Sequence, residues 1–226
     1  MGAGFRIKAK ANSAAEIFIY EDVGESWFGG VTAKQFAEDL KSLGNVTSID
    51  LRINSAGGDV FDGLTIYRRL VDHKAKITTH IDGLAASIAS VIAMAGDEIR
   101  ISESGFLMIH NAWAVSVGTS DDMRTMADIL DKTNVSIMDV YKARTNNSVD
   151  KLQNWMDAET WFSSAEAIEN NFADAVDANM QIAARLDNSK HKFKHAPAAL
   201  IERPNATALK QRLAQMRAKM ERRRAA

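Results

Sequence analysis

The sequence predicts an α/β domain, a parallel sheet with crossover helices, and three observations carry that prediction. Short runs with strand-like alternation take turns with longer runs whose apolar residues recur at steps of three and four. Paired glycines stand where one such strand feeds a helix, in "SAGGDVFDG". With 46% hydrophobic and 25% charged residues, the 226-residue chain has the composition of a globular domain with a sizeable core.

Taken in order, "AEIFIYEDV" (15–23) reads as a strand, and "TAKQFAEDLKSLG" (32–44) as a helix with Leu40 and Leu43 on its apolar face and Gly44 as its stop. "VTSIDLRIN" (46–54) alternates as a second strand. The glycine loop then opens a helix whose apolar face is expected to use Val60, Leu64, Tyr67 and Leu70, with Asp59 and Asp62 in the first turn, where the dipole favours negative charge. "KITTHIDG" (76–83) is a third strand, ended by a turn at Gly83. A buried helix spans 88–95, "DEIRISESGFLMIH" (97–110) holds two short strands, and "SDDMRTMADILDKTNVSIMDVYKARTN" (120–146) is a long amphipathic helix.

Composition excludes several classes. The chain has no cysteine, so disulfides and thiolate metal sites are ruled out, and its five histidines show no ligand spacing; no metal and no cofactor are expected. No apolar run approaches the roughly 18 residues of a membrane span, and "MGAGFRIKAKANS" lacks the apolar core of a signal peptide, so a soluble chain without a membrane partner is expected. No phosphate-binding GxxxxGK[ST] loop occurs.

The net charge of -1 conceals two unlike parts. From residue 187 onward there are eleven Lys or Arg against three acids, and both prolines, Pro197 and Pro204, fall there. We therefore divide the chain into a domain over 1–183 and, over 184–226, a solvated linker with a basic helical tail. In that tail Leu209, Leu213, Met216 and Met220 form an apolar stripe opposite Lys210, Arg212, Arg217 and Lys219. It reads either as a helix docked on the acidic body or another subunit, or as a tether to an acidic assembly partner; nucleic acid and lipid are the lesser options.

Two residues carry candidate chemistry. Ser87 follows a strand and two alanines at the start of a buried helix, where a tight turn presents a hydroxyl at the positive helix end and leaves room for a substrate. Ile88 behind it offers an amide to a developing oxyanion, and the Gly57-Gly58 turn offers a second. His110 ends the apolar run "FLMI", a position suited to a general base. Separately, a serine at a helix start, a histidine after a strand and a glycine turn are commonly structural; the order of the three supports the chemical reading.

"INSAGGDVFDGLTIY", "GLAASIASVIAMAG", "FLMIHNAW" and "AETWFSSAEAIENNFADAV" resemble, in order, motifs of the Clp protease proteolytic subunit (ClpP) family of serine peptidases. The resemblance runs over 14–180 and is strongest to the phage branch, the ClpP-related head maturation proteases. It implies a crotonase/ClpP-like spiral of ββα units, with the helix from Ser120 to Thr145 as the handle between rings. It also implies Ser87 as nucleophile, His110 as general base and the amides of Gly58 and Ile88 as oxyanion donors. The third member falls in "NWMDAETWFSSAEA", where family members carry aspartate; matching the turn puts Thr160 there, with Asp157 as the alternative and Glu159 nearby. The expected activity is endopeptidase cleavage through an acyl-enzyme, in a ring-shaped homo-oligomer of the bacterial host cytoplasm or procapsid. Its expected partners are polypeptides such as capsid, scaffold or portal proteins, with an unfolding ATPase as a further candidate. The rival readings are a catalytically weak assembly ring and a crotonase-type acyl-CoA enzyme; the serine–histidine pair argues against the latter.

Overall fold

The structure, a computed structural model, describes residues 5–25, 30–177, 193–198 and 200–201. Eight strands follow one another as β1 (Phe5–Ala9), β2 (Ala14–Ile19), β3 (Ser48–Ser55), β4 (Lys76–Ala86), β5 (Glu98–Ser102), β6 (Phe106–Ile109), β7 (Thr160–Ser163) and β8 (Ala175–Asp177). The helices are α1 (Ala33–Ser42), α2 (Val60–Val71), α3 (Ile88–Ala93), α4 (Ser120–Thr145), α5 (Val149–Asp157) and α6 (Ser164–Glu169).

The sheet runs β1-β2-β3-β4-β5-β8, with β6 and β7 branching from β4. From β2 to β5 every pairing is parallel, so each strand needs a crossover, and α1, α2 and α3 supply them. This is the α/β spiral that the sequence predicts. Alternation along β2 and β3 buries Ile17, Ile19, Ile49, Leu51 and Ile53 against Phe36 of α1 and Ile66 and Leu70 of α2. The buried face of α2 is Gly63, Ile66 and Leu70, rotated from the expected one; Val60, Leu64 and Tyr67 pack at its edge. Gly63 explains the rotation: a Cβ there would lie 2.1 Å from Ile88 Cγ1, so α2 approaches α3 along its glycine.

β4 differs from expectation and sets up the site. It does not turn at Gly83 but continues to Ala86, pairing with β5 through Thr78–Ile81 and with β6 through Leu84–Ala86. One strand thus serves two neighbours, and its far end lies beside β6. Under it, Arg52 donates to both carboxylate oxygens of fully buried Asp82 at 2.9 and 2.6 Å, and the Tyr20 hydroxyl donates to the same group, pinning β2, β3 and β4 together.

α4 begins in a capping box between Thr119 and Asp122 and ends at Asn146 in the left-handed conformation. Its buried residues, Thr133, Ile137, Met138, Tyr141 and Thr145, all lie in the C-terminal half, so the first half projects from the body. The boundary at 183–187 and the basic helix lie outside the described residues. Part of the expected linker is described; Lys194, His195 and Ala198 are exposed there, while Leu200 is buried against Leu84, Ala86 and Met108.

Candidate active site

The site begins where β4 ends. At Ser87 the backbone takes φ 55°, ψ -131°, and the chain reverses straight into α3. A non-glycine residue at such an angle costs about 1–3 kcal/mol, sustained only where surrounding contacts over-determine it. Those contacts are present. The Ser87 amide donates to the Met108 carbonyl at 3.0 Å, and the Ser87 carbonyl accepts from the Ser90 amide at 2.9 Å. Ser90 Oγ reinforces that carbonyl and lies 2.8 Å from the Tyr141 hydroxyl, tying the elbow to α4. All six residues of α3 are buried, so the greasy helix is the base that holds one exposed-facing hydroxyl in a strained turn.

His110 follows β6, which is hydrogen-bonded to the end of β4. Its Nε2 lies 2.8 Å from Ser87 Oγ. With the ring proton on Nδ1, Nε2 accepts the serine hydroxyl. Burial pushes the imidazole below its ordinary pKa, the Glu159 charge opposes that shift and Lys194 adds to it. A neutral imidazole against a serine hydroxyl is the arrangement general-base catalysis requires.

Strand register decides which side chain of the 157–160 stretch can act on that ring. β6 and β7 are antiparallel, with Ile109 opposite Thr160 and Met108 opposite Trp161. The ladder ends at the first of these pairs; His110 follows β6, Glu159 precedes β7, and the Glu159 charge acts on the imidazole. The structure accordingly does not bring Thr160 to His110: its hydroxyl donates to the Trp155 carbonyl at 2.8 Å, and no hydrogen bond joins it to the imidazole. Asp157 ends α5 and accepts from Asn111 Nδ2 and Gln153 Nε2, both at 2.7 Å. Glu159 is 8% exposed, at φ 49° in the turn from α5 into β7. Sequence reasoning noted it only as a nearby carboxylate.

The glycine turn closes the other side. A Cβ on Gly57 would lie 2.7 Å from both Ser87 Cβ and the Ala86 carbonyl oxygen, and 3.2 Å from the Ile88 nitrogen. Only glycine permits that approach, at φ 96°. Gly58, at φ 147°, passes the Val23 carbonyl so closely that a Cβ would fall 2.0 Å from its oxygen. The Gly57 carbonyl and the Asp59 amide bond to Val23, while among the described residues the Gly58 amide has no acceptor. The Ile88 amide, in the first turn of α3, has none within its helix. The Ile88 amide thus adjoins the serine, and the Gly58 amide follows the glycine that packs against it.

Among the described residues, no group of three His, Asp or Glu side chains is placed to hold a metal, and no helix is long and apolar enough to cross a membrane.

A family model described as Clp protease matches residues 3–180. The ATP-dependent Clp protease proteolytic subunit of Deinococcus radiodurans is 32% identical over 139 residues, covering 61% of this chain and 68% of that protein. The ATP-dependent Clp protease proteolytic subunit 1 of Chlamydia muridarum is 29% identical over 174 residues, covering 75% and 90%. A match over most of the chain means that this chain belongs to the Clp protease family and is a ClpP-like serine peptidase.

Proposed function

We propose that the chain is an endopeptidase in which Ser87 is the nucleophile, His110 the general base and Glu159 the charge that supports it. The observation that carries this reading is the 2.8 Å approach of His110 Nε2 to Ser87 Oγ at a strained strand-to-helix turn. Ser87 Oγ adds to the scissile carbonyl as its proton passes to Nε2, and the oxyanion takes hydrogen bonds from the Gly58 and Ile88 amides. The imidazolium then protonates the departing amine, leaving an acyl-serine. Water, deprotonated by the same nitrogen, releases the acid and restores the hydroxyl. Glu159, whose charge acts on His110, stabilises the imidazolium in both steps; Thr160 is left to its bond with Trp155.

The substrate is extended polypeptide lying between the glycine turn and the His110 strand. A homo-oligomeric ring is supported by the projecting first half of α4 and by Trp113, Val115 and Val117 before it, which are 68%, 82% and 95% exposed. An ATPase partner is suggested by the names of the relatives, which are ATP-dependent. The motif resemblance to phage enzymes and the basic tail favour the trimming of capsid, scaffold or portal precursors inside a procapsid.

A fluorophosphonate label tests the chemistry. Wild type should be labelled at one serine, Ser87→Ala not at all, and His110→Ala at least about a hundredfold more slowly, since members of such a unit act together. Undiminished peptide cleavage by Ser87→Ala would overturn the assignment. Processing of precursors in procapsids carrying wild type, and its loss in those carrying Ser87→Ala, tests the assembly role.

A further inference from the structure

We propose that residues 193–198, with Leu200 and Ile201, form an intramolecular strap that occupies the substrate cleft and holds the peptidase closed until it is displaced. The inference rests on the peptidase reading above and adds a regulation to the same site.

Three contacts seat the strap. The Phe193 ring stands edge-on to the His110 ring, centroids 5.7 Å apart, and to Trp161 at 5.4 Å. The Lys194 and His195 amides donate to the two carboxylate oxygens of Glu159 at 2.9 and 2.7 Å, while His195 Nδ1 lies 2.9 Å from the Ala158 carbonyl oxygen. Leu200, 4% exposed, fills an apolar pocket made by Leu84, Ala86 and Met108, with Phe106 and Trp161 at its rim. Leu84 and Ala86 belong to the strand end that leads into Ser87, and Met108 accepts the Ser87 amide. The pocket is therefore continuous with the catalytic serine, and a polypeptide substrate needs the same space.

The strap is shaped to block the site and to survive there. An extended peptide places a carbonyl between nucleophile and oxyanion donors by running flat along the neighbouring strands. This segment instead turns: the Leu200 amide donates to the Pro197 carbonyl at 2.9 Å and the Ile201 amide to the Ala198 carbonyl at 3.4 Å. Pro197 also lacks the N–H that strand pairing uses. Glu159 serves twice, since the anion acting on His110 is the one that receives the strap, so release of the strap leaves the catalytic charge in place.

The full-length chain and its Leu200→Asp variant test this by the rate of fluorophosphonate labelling at Ser87, by turnover of a short chromogenic peptide, and by hydrogen exchange. Leu200→Asp should be labelled at least tenfold faster than wild type, with turnover rising in proportion, and a synthetic peptide of residues 193–201 should slow it again by competition. The Lys194 and His195 amides should be protected in wild type and lose protection in Leu200→Asp. Should Leu200→Asp fail to fold, Phe193→Ala carries the same expectation at several-fold. Equal labelling of all three proteins overturns the strap and leaves the peptidase standing. Cleavage within 193–201 in wild type but not in Ser87→Ala also overturns it, because the segment is then a substrate. Absence of labelling in every protein refutes the peptidase reading instead; hydrogen exchange then decides the strap, and unprotected Lys194 and His195 amides refute it.

Discussion

Replacing Glu159 by glutamine removes a charge while keeping the shape of the side chain, and two consequences follow from the geometry. A charge that shifts a neighbour's pKa lies within about 4–6 Å of it, and at about 5 Å in an effective dielectric of about 20 opposite charges attract by about 3 kcal/mol. The imidazolium exists only after Ser87 has given up its proton, so this energy is withdrawn from the transition state, and kcat should fall by roughly two powers of ten. The second consequence concerns pH. The Glu159 charge raises the His110 pKa against burial, so without it the pKa drops further. Activity requires the neutral ring and is lost as pH falls through that pKa; the acidic limb of kcat/KM should therefore move to lower pH even as the plateau falls. Glutamine also loosens the strap, since its NH2 meets the main-chain N–H that a carboxylate oxygen accepted, which raises access and, by moving Lys194 from the ring, offsets part of the downward shift. Steady-state peptide hydrolysis between about pH 4 and 9 separates these effects, with Thr160→Val and Asp157→Asn run alongside. A Glu159→Gln enzyme with wild-type kcat and an unmoved limb, beside a Thr160→Val enzyme slowed tenfold, would refute the role given to Glu159.

Lys194→Ala should shift the same limb upward, because the ammonium lowers the His110 pKa; a downward shift in the pH–rate profile would contradict the assignment. Gly57→Ala puts a methyl 2.7 Å from Ser87 Cβ at a φ of 96°, so urea unfolding should show a loss of about 2–4 kcal/mol, and Ser87 labelling should slow even in the folded fraction. Asp82→Asn leaves the Arg52 guanidinium without its buried counter-charge and should cost about 3 kcal/mol in the same assay, with the labelling rate of the folded protein little changed.

Much of the fold was legible because its elements obey one period each. β2 and β3 alternate cleanly between core and partner, α1 keeps Phe36 and Leu40 a turn apart, and the α3 stretch is apolar all round because all of it is buried. Reading failed where tertiary geometry overrode a local signal. Gly83 looked like a turn, yet it is buried in the middle of β4, and the turn falls on Ser87, whose positive φ no propensity would suggest. The face of α2 was misjudged because a glycine, poor by any hydrophobic count, is what lets it approach α3. The 157–160 stretch shows the sharpest limit. A one-residue slip in register carries a side chain to the opposite face of a sheet, and nothing local to "DAETW" distinguishes Glu159 from Thr160 until β6 is laid against β7.

The same limit hid the strap, and its cause is instructive about how such a chain balances its two halves. Phe193, Pro197 and Leu200 are too widely spaced for any helical or strand period, and they lie among basic residues that, by composition, mark a solvated linker. Their partners are more than 80 residues earlier, at the end of β4, on His110 and on Met108, and 30–40 residues earlier, on Glu159 and Trp161. No local pattern encodes contacts at that separation. What the sequence does show is the charge imbalance, basic at the C-terminus and acidic in the body, and Glu159 accepting the Lys194 and His195 amides is a point at which those halves meet. Two charge-assisted hydrogen bonds, one buried leucine and the edge-on contacts of Phe193 hold the strap against the backbone freedom it gives up, and so only modestly. A strap so held is readily exchanged for an extended substrate whose own side chain takes the Leu200 pocket. That exchange lets the site stay covered in the lone chain and open once polypeptide is concentrated around it.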